Sequence, residues 1–231
     1  MSRHLDDLEM AVGHQFGDRD LLRRAVSHRS WIAESSDEIS NERLEFLGDA
    51  VLGWVVADLV YSDFEDWDEG RLTDLRKSVV NASALAEVAR GIQLGDHLLL
   101  GNGEDAAGGR DKESILSDAL EAVIGAVYVD AGSKRAFEVV KHLIGPRLSE
   151  APSQLDRLDQ KSTLQEMLAA RGRRSPTYVL ESKGPDHDKE FTATVIVDDE
   201  VMGTGIGRSK KMAEQHAAGE AIDRLNAADH A

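Results

Sequence analysis

Between Asn41 and Asp49 the chain reads Asn-Glu-Arg-Leu-Glu-Phe-Leu-Gly-Asp and continues Ala50-Val-Leu-Gly-Trp-Val-Val-Ala57, carrying acidic groups into a segment apolar on almost every side. A helix hydrophobic all round is normally buried. At about 100° per residue, Glu42, Glu45 and Asp49 fall within an arc of roughly 60°, so three carboxylates share one face. Desolvating each costs on the order of several kcal/mol unless it is paired or metal-bound. A cation is therefore expected on that face.

Residues 113–130 run Glu-Ser-Ile-Leu-Ser-Asp-Ala-Leu-Glu-Ala-Val-Ile-Gly-Ala-Val-Tyr-Val-Asp, a second apolar helix with Ser114 as its expected N-cap and Gly132 just past its end. Asp118 and Glu121 are neighbours on one face of it. Two helices thus each offer a close pair of acids, with no Lys or Arg among the four. Hard oxygen ligands without His or Cys select Mg²⁺ or Mn²⁺ over zinc. Spacing alone leaves an alternative open, in which these acids form salt bridges with Arg43, Arg71 or Arg76.

At 231 residues the chain can bury one large domain and a small one. It has no cysteine, which excludes disulfides, thiolate zinc sites and cysteine nucleophiles. The N-terminal stretch lacks an apolar signal core, and the apolar run from Ala50 is interrupted by Asp58 and too short to span a bilayer. A soluble cytoplasmic protein without a membrane partner is expected.

The net charge of −16 opposes nucleic-acid binding, since phosphate contacts need Lys and Arg. Its distribution softens the objection. Residues 1–151 carry 16 Lys and Arg against 29 Asp and Glu, whereas residues 160–226 carry 10 against 11. The acidity belongs to the first region, where bound metal would neutralise part of it, and a nearly neutral second region can still present a basic face.

The boundary is expected at Ala151-Pro-Ser-Gln-Leu-Asp156, a polar, proline-containing stretch. Upstream the periodicity is helical, with helices predicted over about 5–12, 19–26, 41–60, 69–80, 82–93, 113–130 and 134–149. The glycine-rich piece 101–110 reads as a flexible loop feeding the second acidic helix. Downstream, residues 160–171 read as an amphipathic helix and 178–182 as a strand. Phe191, Ala193, Val195 and Val197 alternate with Thr192, Thr194 and Ile196 in a second strand that ends at the turn Asp198-Asp199-Glu200. Residues 201–207 form a third, and Ser209 opens an alanine-rich helix. Gly203-Thr-Gly205-Ile-Gly207 imitates a nucleotide-binding loop, but Arg208 stands where the fingerprint needs glycine and no βαβ unit surrounds it. No nucleotide cofactor is expected, and these glycines read as a strand packed closely against helices. The eight histidines form no metal-ligand spacing.

The segment Asn41–Asp49, with Ser117-Asp118-Ala119-Leu120-Glu121-Ala122, resembles the ribonuclease III family of double-stranded RNA endonucleases. The order α-β-β-β-α with Lys210 and Lys211 opening the last helix resembles a double-stranded RNA-binding domain. The resemblance implies an all-α endonuclease domain over 1–151, a linker over 152–158, an RNA-binding domain over 159–226 and a tail over 227–231. It also implies that Glu45, Asp49, Asp118 and Glu121 hold catalytic Mg²⁺, with Asp49 and Glu121 in catalysis; Glu42 matches a flanking glutamate and Glu69 another near the RNA. Ser162, Gln165, His187, Ser209, Lys210 and Lys211 match RNA contacts, the two lysines and the helix N-terminus forming a phosphate clamp. Such domains read A-form shape rather than sequence. A homodimer is implied in which Phe46 inserts into the partner; read from the residues alone, Phe46 is ordinary core.

The expected chemistry is two-metal in-line hydrolysis, with two ions roughly 3.5–4 Å apart activating water and stabilising the leaving 3′ oxygen. The products implied carry 5′-phosphate and 3′-hydroxyl ends with a short 3′ overhang, as in rRNA and mRNA processing. Two other classes remain open. A binding protein that no longer cuts would fail an Mg²⁺-dependent nicking assay. A metal-dependent phosphohydrolase of nucleotides would be blocked by mononucleotides rather than by duplex RNA.

Overall fold

Apolar residues at helical spacing account for most of the first 111 residues. In the computed structural model, which describes residues 2–35, 39–158, 160–185 and 189–229, these become α1 (Ser2–Val12), α2 (Arg19–Ala25), α3 (Arg29–Glu34), α4 (Glu42–Asp63), α5 (Glu69–Val80), α6 (Ala82–Gly91), α7 (Leu94–His97), α8 (Asn102–Ala106) and a 3₁₀ turn at Gly109–Asp111. Asp18, Asp68 and Asn81 cap α2, α5 and α6 by accepting from the N–H groups of Asp20, Arg71 and Ala84. Each cap satisfies one amide that a helix start leaves unpaired. Then follows α9 (Glu113–Leu158), a helical run broken at Gly132, whose φ of 79° and ψ of −178° are not helical. The chain divides into two compact units, Met1–Ala151 and Pro152–Ala231.

Leu8, Leu22, Leu52, Leu75, Leu120 and Ile124 are among the fully buried side chains of the first unit. Three expectations need correction here. First, α4 is not buried all round. Leu44, Val51, Leu52, Val55 and Val56 face the core, but Phe46 is 80% exposed, with Trp54 and Tyr61 also exposed. The core reading of Phe46 is therefore wrong; an apolar pattern records hydrophobicity, not what covers it.

Second, residues 101–110 are not a loop. They form α8 and the 3₁₀ turn, held by Arg110 donating to the carbonyls of Gly95 and Leu98 and pairing with Asp105. Long-range side-chain bonds supply the order that local composition withholds. Third, α9 starts at Glu113, so Ser114 lies inside the first turn and is not the cap. Residues 152–158 are helical, and the last helix runs to Asp229. The short α3, α7 and α8 escaped the periodicity, since one turn carries too few apolar residues to mark a face.

The second unit has α10 (Gln160–Ala170), β1 (Thr177–Lys183), β2 (Glu190–Val197), β3 (Glu200–Gly207) and α11 (Lys210–Asp229). The sheet is antiparallel in the order β1-β2-β3. Ala193, Val195 and Val197 point into a core shared with Leu164, Leu168, Ala217 and Ala221, as the alternation requires. Asp198 and Asp199 both have positive φ, 52° and 68°, the conformation a two-residue hairpin turn demands. Arg173 and Arg174 pair with them. A Cβ on Gly203, Gly205 or Gly207 would come within 2.3–2.6 Å of α11 atoms, so these glycines serve strand–helix contact.

Candidate metal and RNA site

Two glycines allow α4 and α9 to cross with their backbones touching. A Cβ on Gly48 would lie 1.7 Å from the carbonyl oxygen of Glu121, and one on Gly125 would lie 2.2 Å from that of Leu44. Any side chain at either position would push the helices apart. Gly48 lies between Glu45 and Asp49, and Gly125 one turn beyond Glu121, so the crossing carries the acids of one helix to those of the other. Ligand oxygens of Glu45, Asp118 and Glu121 all lie within 4.8 Å of one another. Asp49 is exposed and outside that group of three, yet close enough for its charge to act on Glu121.

Burial first, then the charges of Asp49, Asp118 and Glu45, pushes the Glu121 carboxyl up to about 7. Burial and then Asp118 and Glu42 raise Glu45, with Arg29 opposing. The charges acting on Glu121 are those of Asp49, Asp118 and Glu45, all acidic. The cluster is a half-buried set of like charges, which costs energy unless a cation enters. Its donors are all carboxylate oxygens, the set that hard divalent ions prefer.

Beside the cluster opens a cavity of about 420 Å³, to which Glu42, Glu45 and Asp118 contribute. Glu42 accepts from the Ser40 hydroxyl at 2.7 Å. Glu69 is exposed at the start of α5, where it accepts from Thr73, and does not line this cavity. His28, Arg29, Glu104 and Lys112 do line it, and sequence reasoning missed all four. Ser-His-Arg-Ser at 27–30 has no periodicity to flag it, and Glu104 lay within the supposed loop.

In the second unit Ser162 and Gln165 are exposed on one face of α10, three residues apart. The Ser209 hydroxyl accepts from the Met212 N–H at 3.2 Å and caps α11, leaving Lys210 and Lys211 exposed in its first turn. Lys161 joins the starts of the two helices, pairing with Glu214 at 2.6 Å and donating its N–H to Gln215. His187 lies outside the described residues. No helix among them is long and apolar enough to cross a membrane.

Comparison with known proteins gives concordant matches. The Ribonuclease-III-like family matches residues 18–148, and the double-stranded RNA binding motif matches 160–225. A protein named Ribonuclease 3 from Mycobacterium bovis is 49% identical over 234 residues, covering 100% of this chain and 97% of that one. Ribonuclease 3 from Streptomyces coelicolor is 50% identical over 221 residues, covering 96% of this chain and 80% of its own. Among solved structures, the nuclease domain of ribonuclease III from Campylobacter jejuni is 41% identical, with a TM-score of 0.57, and covers 61% of this chain and 95% of that one. A region of that domain is described as involved in dimer formation.

Proposed function

Because the chain belongs to the ribonuclease III family, a double-strand-specific endoribonuclease, we propose that it hydrolyses duplex RNA with divalent metal held by Glu45, Asp49, Asp118 and Glu121. Residues 1–151 act as the endonuclease domain and 159–226 as the RNA-binding domain. The carrying observation is the convergence of Glu45, Asp118 and Glu121 oxygens within 4.8 Å at the Gly48–Gly125 crossing. Mg²⁺, or Mn²⁺ in its place, fits this all-oxygen, like-charged set, and when bound it supplies activation of water and stabilisation of the departing 3′ oxygen.

The chain's own residues do the rest. Glu45, Asp118 and Glu121 are carried to one place by the backbone contact of α4 and α9, where a bound cation would offset their mutual repulsion. Asp49 adds charge at the exposed edge of the cluster, and Glu42 extends the acidic surface into the cavity. Glu69 contacts RNA from the start of α5. Lys210 and Lys211, at the start of α11, bind phosphate without reading bases. Ser162, Gln165 and His187 meet the minor groove, where A-form RNA displays its 2′-hydroxyls.

Two copies pair through the exposed face of α4. Phe46, Ala50, Trp54 and Tyr61 lie within an arc of roughly 80° at about 100° per residue, an apolar stripe of the kind that marks an interaction surface. Pairing gives two centres, one for each strand, and products with 5′-phosphate and 3′-hydroxyl ends and short 3′ overhangs. Such cuts suit rRNA and mRNA maturation. The test is gel analysis of long duplex RNA with and without Mg²⁺, against single strands and mononucleotides as competitors. Cutting that needs Mg²⁺ and yields only to duplex competitor supports the reading; intact duplex in Mg²⁺ rejects it.

A further inference from the structure

The four-carboxylate reading leaves unused the part of the cavity that residues 28–29 and 104–112 contribute. Its charges are unequal in kind. The Lys112 ammonium is taken by Glu104, whose carboxyl it holds below the usual range. Arg29 is exposed, lines the cavity, and among the described residues makes no ion pair. Its charge is nevertheless felt by Glu45 and Glu104. A guanidinium thus stands beside four acids without closing on any of them.

The backbone around Arg29 is fixed. Ser27 and Leu99 form a parallel bridge, with the Leu99 N–H donating to Val26 at 2.9 Å and the His28 N–H to Leu99 at 3.1 Å. The Gly101 N–H donates to the Ser30 hydroxyl and the Asn102 N–H to Glu34, both at 2.9 Å. His28 Nδ1 accepts from the Ser30 N–H at 3.2 Å, closing the turn before α3. Arg29 is therefore carried on a scaffold tied from both flanks.

A phosphate entering this cavity meets Glu42, Glu45, Glu104 and Asp118. Metal can offset the acids it touches, and Glu104 already has Lys112; Arg29 is the guanidinium of that part of the cavity. Guanidinium is suited to the task, since its planar fork binds phosphate oxygens bidentately and is weakly hydrated. We propose that Arg29 is a positioning residue that holds a backbone phosphate of the RNA strand being cut, next to the metal-binding carboxylates. This rests on the duplex-cutting function above and adds a residue and a role to it.

The rival role is electrostatic screening, in which Arg29 only offsets the acids while metal is absent. Saturating Mg²⁺ separates the two. In the full-length protein, Arg29→Ala and Arg29→Lys are compared with wild type at saturating Mg²⁺ for kcat and KM on duplex RNA. Duplex binding in Ca²⁺ is followed across salt concentrations, and melting is measured without RNA. A held phosphate predicts that Arg29→Ala loses about 10–100-fold in kcat/KM, mostly in KM, and that this loss persists at saturating Mg²⁺. The salt dependence becomes shallower by about one phosphate contact. Arg29→Lys restores that slope but only part of kcat/KM, because an ammonium cannot make the bidentate contact.

Wild-type kcat/KM and salt slope for Arg29→Ala at saturating Mg²⁺ would overturn the proposal, as would a defect confined to metal-free melting. If wild type itself leaves duplex RNA intact in Mg²⁺, the functional reading fails; if it cuts and Arg29→Ala cuts equally well, only the role of Arg29 fails.

Discussion

Gly48 of α4 lies so close to the main chain of Glu121 in α9 that a methyl group there would sit 1.7 Å from the Glu121 carbonyl oxygen. The residue that permits the crossing thus touches the backbone of a residue that supplies a carboxylate to the cluster. Close packing and site assembly are the same contact, and the next two expectations follow from it.

Gly48→Ala forces the helices apart at backbone rather than at a yielding side chain. It is expected to cost about 3 kcal/mol, the upper range for overpacking, and to lower Tm by roughly 6–12 °C. A methyl group on Gly53, in the same helix, would meet nothing within 4 Å. Gly53→Ala should therefore stabilise by about 0.5–1 kcal/mol, as alanine does in a helix interior. Thermal melting of both variants checks the pair. Equal behaviour would contradict the crossing geometry.

Glu121→Gln keeps the shape and removes a charge. Cleavage in Mg²⁺ should fall by orders of magnitude, since a metal supplies several kcal/mol to the transition state and each ~1.4 kcal/mol is tenfold, while duplex binding in Ca²⁺ stays near wild type. The linkage has a definite sign. Glu121 is raised from 4.5 to about 7 in the folded protein, so its contribution to metal-free stability is present below 4.5 and lost as pH rises through about 7. The variant should therefore melt higher than wild type above pH 7, by roughly 2–4 °C after allowance for solvent screening, and the gap should close toward pH 4.5. Conversely, limiting Mg²⁺ should support wild-type cleavage better as pH rises through 7, and excess Mg²⁺ should move that midpoint downward, because metal competes with the proton. Calorimetry and rate profiles read both effects. A variant that melts lower yet cuts normally would mean that Glu121 is a structural residue.

Phe46→Ala tests the dimer face. The side chain is 80% exposed in the protomer, so truncation should leave the protomer's Tm within the small range of surface changes, about 0.5 kcal/mol. Loss of an interface anchor should instead raise the dimer dissociation constant by roughly 30-fold or more. Sedimentation across protein concentrations measures this. An unchanged dimer would remove Phe46 from the interface.

Lys210→Ala with Lys211→Ala tests the clamp on α11. Binding should weaken alike for duplexes of different sequence, because phosphate contacts carry no sequence information. The salt slope should fall by up to about two contacts' worth. Affinity and slope at wild-type values would exclude this helix start from RNA binding.

The nine residues from Asn41 and the six from Ser117 were enough to place two acids on each of two helices, and alternation in 191–197 was enough to orient β2. Both signals are local. Helix and strand periods fix which side chains share a face before any tertiary contact exists. Local pattern also placed the start of α11 at Ser209 and marked the Gly203–Gly207 glycines as packing residues, since a helix start and a close approach each favour particular residue types. What local pattern cannot encode is which faces meet. Phe46 looked like core because an apolar side chain reads the same whether covered by its own chain or left bare. Residues 101–110 looked like a loop because the Arg110 bonds that order them run to Gly95 and Leu98, outside the segment. The drawing together of Glu45, Asp118 and Glu121 depended on Gly48 and Gly125 meeting across more than seventy residues of chain. Arg29 lines the cavity next to the Ser27–Leu99 bridge, a contact between segments far apart in the chain. The sequence by itself determined the chemistry available on each face; the tertiary structure decided the distances, because two helices approach only as closely as the smallest residues at their crossing allow.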